Sequence, residues 1–165
     1  MIVVSNSSPL ITLARIGRLE LLKQLFGSIH IADEVRQEVV VRGAGRPAAA
    51  TVRGADWIEI HPAADPADLA ALRAQHALGA GELATILLAR TMRVDLAIID
   101  ERTARRLSLA QGVAVMGCVG ILERGHSRGL VPDLRQTYES LLPHGTRIDR
   151  QIPDQSLTAL RLPPL

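Results

Sequence analysis

The stretch that most constrains the fold is IVVSNSSPLITLA at residues 2–14. Ile2, Val3 and Val4 form an unbroken apolar run, the pattern of a short strand buried on both faces of a parallel sheet. Polar residues follow at once, and a helical pattern starts directly after them. Ser7 or Ser8 can cap that helix, and Pro9 suits its first turn, where a missing N–H costs nothing. In open α/β sheets, ligands sit in the crevice beyond the carboxyl ends of the strands. Asn6 and Ser8 stand at such a tip. A second apolar run, LAIID at 96–100, ends the same way, in Asp100 and Glu101. Two polar strand tips predict one shared site.

The same alternation continues along the chain. SSPLITLARIG and RLELLKQLFG read as short helices, each closed by a glycine. SIHI at 28–31 reads as a strand, ADEVRQEVVVRG as a helix, and RGAGRPAAA at 42–50 as a loop by its Gly and Pro content. WIEIH at 57–61 alternates like a half-buried edge strand. DPADLAALRAQHA and LGAGELATILLARTM are helical, with Asp65 as the N-cap of the first. LAIID and VAVMG are strands, each followed by a helix, and DLRQTYESLLPHG is one helix more. Strands alternating with helices predict a three-layer α/β/α sandwich around a mostly parallel sheet. A single domain over residues 1–145 and a peripheral segment over 146–165 account for all 165 residues.

Composition removes several classes of function. Phe26, Trp57 and Tyr138 are the only large aromatics, which argues against a stacking platform for single-stranded nucleic acid. Cys118 is the sole cysteine, which rules out an internal disulfide and a cysteine-cluster zinc site. Its setting, MGCVGIL, reads as that of a buried small residue. No charged leader precedes the first strand and no apolar run is long enough to span a membrane, so a soluble cytoplasmic protein is expected. RGAGR lacks the Lys-Ser/Thr ending of a phosphate-binding P-loop. The five histidines show no HxH or HxxxH spacing and are expected in packing or surface roles.

The acids carry the chemistry. Glu82 opens a helix after LGAG, where Gly79 and Gly81 allow close backbone approach and the helix dipole favours a carboxylate. Asp100 ends LAIID, and Glu38 lies on the helix after SIHI. Carboxylates converging on one pocket repel unless a divalent cation neutralises them, and an all-oxygen set suits Mg²⁺ or Mn²⁺. Such an ion activates water and stabilises the charge on a phosphodiester under attack. Each acid also has a purely structural alternative. Glu38 can pair with Arg42 at helical spacing, Glu82 can serve as a first-turn dipole partner, and Asp100 can cap ERTARRL.

SNSSPLITLARIGRLELL, IADEVRQEV, LGAGELATILLA, IIDERTARRLSLAQG and VMGCVGILERGHSRGLVP, in this order, resemble the PIN-domain superfamily. More narrowly, they resemble its branch related to the VapC-like ribonucleases of toxin–antitoxin pairs. The resemblance covers roughly residues 1–140 and is specific as a combination rather than in any single motif. It implies a parallel sheet between helices, RNA as substrate and metal-dependent cleavage, with Glu38, Glu82, Asp100 and Asn6 as the catalytic set. Asn6, Glu82 and Asp100 are implied as ligands of Mg²⁺ or Mn²⁺. Asn6 stands where the family usually carries Asp, and its amide brings an oxygen but no charge and no base. Ser8 is implied as a phosphate contact.

Arg102, Arg105 and Arg106 share a helix face after Asp100 and place positive charge where an RNA backbone would run. The likeness further implies a homodimer and a small antitoxin partner. The apolar helices between Pro9 and Phe26 are the expected dimer surface. The alternative is a module of the same fold that binds nucleic acid or protein and has lost catalysis through Asn6.

Overall fold

Five short strands form at the apolar runs read from the sequence, β1 and β2 each running one residue past theirs. β1 (Val3–Ser5), β2 (Ile29–Ala32), β3 (Ile58–His61), β4 (Leu96–Ile98) and β5 (Val115–Met116) form one sheet in the computed structural model. The structure describes residues 1–144 and 148–165, without the side chain of His144. The strand order is β3-β2-β1-β4-β5, and every pairing is parallel.

Alternation along the strands sends side chains to opposite faces, and each face has its own core. Val3, Ile29, Ile31 and Ile98 pack with Leu10 and Leu13 of α1 (Ser7–Arg15) and with Leu22 of α2 (Glu20–Phe26). Ile121 and Leu122 of α8 (Cys118–Ser127) join the same cluster. Val4, Ala97 and Ile99 turn the other way, against Ile86 and Ala89 of α6 (Ala80–Met92) and Ala104 of α7 (Arg102–Ala110). Helices therefore cover both faces, as the α/β/α reading requires.

The remaining helices are α3 (Asp33–Arg36), α4 (Pro47–Arg53), α5 (Pro66–Gln75), α9 (Leu134–Leu141) and α10 (Gln151–Ala159). A π-helical turn, Gln37–Val41, continues directly from α3 and carries Glu38. Single π turns inside helices recur at functional sites, where they re-aim side chains.

Three local expectations are corrected. The segment read as a loop over 42–50 becomes helical from Pro47, whose fixed φ suits a first helical position and whose followers are three alanines. Neither Ser7 nor Ser8 caps α1; Asn6 is its N-cap residue and makes no side-chain capping bond. Glu101, rather than Asp100, caps α7 by accepting the Ala104 N–H at 2.6 Å.

The apolar helices between Pro9 and Phe26 do not form the expected exposed surface. Leu10, Leu13, Leu19, Leu21, Leu22 and Leu25 are all buried in the core, which leaves no leucine patch there for a second copy. At the other end, the boundary expected at 145/146 lies outside the described residues. Helix α10 packs on α8 and α9, with Leu157 fully buried and the Tyr138 hydroxyl 2.7 Å from Ser156 Oγ. No helix among the described residues is long and apolar enough to cross a membrane.

Candidate metal and nucleic-acid site

The strand order reverses direction between β1 and β4, which makes their carboxyl ends the switch point where open α/β sheets place ligands. Asn6 follows β1 and Asp100 lies just past β4. The two tips are joined directly, since the Asn6 N–H donates to the Ile98 carbonyl at 3.2 Å.

On the β1 side, Asn6, Ser7, Ser8, Arg15, Glu38 and Glu82 line a cleft of about 520 Å³. Glu38 reaches it from the π turn and ties two elements together. One of its oxygens accepts a short hydrogen bond from Ser7 Oγ, and the other accepts the Gly81 N–H at 2.9 Å. Arg42 lies 3.7 Å from the same carboxylate, so the helical pairing read from the sequence exists beside the site contacts. A Cβ on Gly81 would sit 2.5–2.7 Å from the Glu38 carboxyl atoms, so only glycine permits this approach. Glu82 accepts the Gly79 N–H at 2.9 Å and occupies the first turn of α6. Its dipole role and its place in the cleft coexist.

Asp100 opens on a neighbouring cavity of about 530 Å³, shared with Arg102, Arg105 and residues of α10 such as Gln155. Both its oxygens are held at the N-terminus of α8. The Cys118 N–H donates to Oδ1 at 2.7 Å, and the Cys118 thiol donates to Oδ2 at 3.0 Å. Burial pushes the Cys118 thiol well up from its ordinary value, and the Asp100 charge adds to that shift. The thiol therefore stays protonated as a donor. Arg105 is anchored at this tip too, its Nη1 donating to the Ile99 carbonyl at 2.8 Å. Arg106 is exposed and lines neither cavity.

The structure thus gathers Asn6, Ser8, Glu38 and Glu82 in one cleft and sets Asp100, Arg102 and Arg105 in the next. Glu38, Glu82 and Asp100 do not form a set whose oxygens all lie within 4.8 Å of one another among the described residues. Ser7, Cys118 and Arg15 were not singled out as site residues from the sequence. Ser7 has a signal in hindsight, a hydroxyl beside the strand-tip Asn6. Cys118 and Arg15 reach the site through tertiary packing alone.

The family model of the PIN domain matches residues 2–161. The chain is a PIN domain. No curated protein matches it. PIN domains are typically nucleases that use divalent metal ions and act on nucleic acid, and the fold found here is the one that family shares.

Asn6 is only 2% exposed, and its Oδ1 has no hydrogen-bond partner. A buried unsatisfied oxygen costs about 1–3 kcal/mol, a penalty that a cation at the cleft removes. The surrounding donors are carboxylate oxygens, the chemistry that Mg²⁺ and Mn²⁺ favour. The donor set fits.

Proposed function

We propose that this PIN domain is a Mg²⁺- or Mn²⁺-dependent endoribonuclease acting as the toxic half of a toxin–antitoxin pair. The observation that carries the reading is the orphaned Asn6 Oδ1 in a cleft shared with Glu38 and Glu82 and adjoining the Asp100 tip. Asn6, Glu82 and Asp100 would hold the ion. When bound, it supplies Lewis acidity that activates water and stabilises charge on the phosphodiester. Glu38, held by Ser7 and Gly81, would take a proton from the attacking water. Ser8 and the guanidinium groups of Arg102, Arg105 and Arg106 contact the RNA backbone, and Arg15 adds a cation at the cleft wall.

The test is cleavage of a mixed RNA pool by purified wild type, with excess Mn²⁺ and with chelator. Metal-dependent cleavage that chelator removes is expected, together with inhibition by the product of a small neighbouring reading frame. A second reading rests on Asn6 standing in the family's acidic position and on Asp100 having both oxygens engaged by Cys118. These favour a binding module. RNA retained without any cleavage would establish that reading and sink the first.

Gly81→Ala probes Glu38 without touching it. The added methyl would displace the carboxylate and misalign the bond from the residue 81 N–H. Misplacing a catalytic group by about 1 Å costs roughly 10²-fold, so a rate loss of that order is expected. The chain should still fold, because alanine gains about 1 kcal/mol of helix propensity over glycine. Steady-state cleavage rates beside a thermal melt check both halves; an unchanged rate would remove Glu38 from the mechanism.

A further inference from the structure

We propose that His30, Glu59 and His61 form a binding site for a single divalent ion of the zinc class, separate from the oxygen-lined cleft. Sequence spacing gives the histidines only packing or surface roles, and in the fold His30 and His61 meet. The meeting is set by strand register. His30 on β2 pairs with Glu59 on β3, and His61 lies two residues further along β3, so it returns to the same face.

His30 Nδ1 lies 2.9 Å from His61 Nε2 and 3.4 Å from a Glu59 carboxylate oxygen. All three donor atoms fall within 4.8 Å of one another, the one such group of three among the described residues.

The contact is poorly served by protons alone. A neutral imidazole nitrogen carries one hydrogen or one lone pair, so His30 Nδ1 satisfies only one of its two partners at a time. A cation between the three atoms takes a lone pair from each. Four-coordinate zinc with bonds of about 2.0–2.2 Å holds its ligand atoms roughly 3.3–3.5 Å apart, close to the separations already present. Two imidazoles and one carboxylate suit zinc, cobalt or nickel, whereas magnesium prefers oxygen.

Access and separation agree with this. β3 is an edge strand, Glu59 has 56% of its side chain exposed and His30 has 13%, so the cluster opens outward and would leave a fourth position to water. None of the three residues lines the Asn6 cleft or the Asp100 cavity. An ion here would tie the edge strand to β2 by a second link beside the backbone ladder and stabilise the folded chain.

The test is calorimetric titration of the full chain with Zn²⁺, repeated in excess Mg²⁺, together with Co²⁺ absorption spectra. Wild type should bind one Zn²⁺ that Mg²⁺ does not displace, and Co²⁺ should show the intense visible bands of a four-coordinate ion. His61→Gln should weaken Zn²⁺ binding by more than about tenfold and remove those bands. Glu59→Gln, at an exposed position that the fold tolerates, should weaken binding while the metal-free melting temperature stays unchanged. Asp100→Asn should leave Zn²⁺ binding intact. Absence of Zn²⁺ binding by wild type, wild-type affinity retained in His61→Gln or in Glu59→Gln, or loss of binding in Asp100→Asn would each overturn the proposal.

Discussion

Asp100→Asn is expected to abolish metal-dependent RNA cleavage, with a loss of at least about 10²-fold, or roughly 2.7 kcal/mol of transition-state stabilisation. The substitution keeps the shape of the side chain and one oxygen to accept the Cys118 N–H. What it removes is the charge and the oxygen that accepts from the Cys118 thiol. Asp100 stands at the N-terminus of α8, where the helix dipole favours a carboxylate, so with the lost thiol bond the fold should lose about 1–2 kcal/mol. The cluster loses far more, because Asn6 already contributes an uncharged oxygen and only Glu38 and Glu82 would remain as acids. Initial rates at saturating Mn²⁺, measured beside thermal melts, separate the two effects. A folded variant cleaving at the wild-type rate would place Asp100 outside the reaction and leave it as the residue that seats α8.

The strands and their polar tips were legible in the sequence for a plain reason; the strand order that makes β1 and β4 the switch point was not. Runs such as Val3–Val4 and Leu96–Ile98 are apolar on both faces because helices cover both faces, and their polar successors mark the tips. Gly81 beside Glu82 was legible as a close approach, though which group approaches was not. That Glu38 meets Gly81 depends on a π turn, a local departure from helical period that side-chain pattern does not encode.

Misreadings have equally physical causes. Gly and Pro in RGAGRP signal a turn, yet Pro47 also opens a helix, and the two signals overlap within a few residues. Helix pattern between Pro9 and Phe26 does not say how many neighbours cover its apolar residues, and the leucines expected at a surface are core. His30 and His61 lie on different strands, and only their register brings them together.

Asn6→Asp is expected to raise Mg²⁺ or Mn²⁺ affinity by about tenfold or more, equivalent to about 1.4 kcal/mol, and to raise the cleavage rate at limiting metal. The wild-type amide offers an oxygen that nothing satisfies and no charge, in a position that is 2% exposed. An aspartate there adds a charged oxygen at the tip of β1, in the cleft it shares with Glu38 and Glu82. Without metal, that charge is buried beside other acids, so the metal-free variant should melt below wild type. With saturating metal the order should reverse, because a ligand that binds the folded state more tightly stabilises it more. The sign change is the diagnostic, since a purely structural role for Asn6 predicts a loss of stability that added metal does not restore. Melting temperatures of both proteins, with chelator and across a Mn²⁺ titration, measure it directly, and RNA cleavage over the same titration ties it to activity. If the variant stays less stable at every metal concentration and cleaves no better, Asn6 is not a ligand and the site at this switch point does not hold the ion.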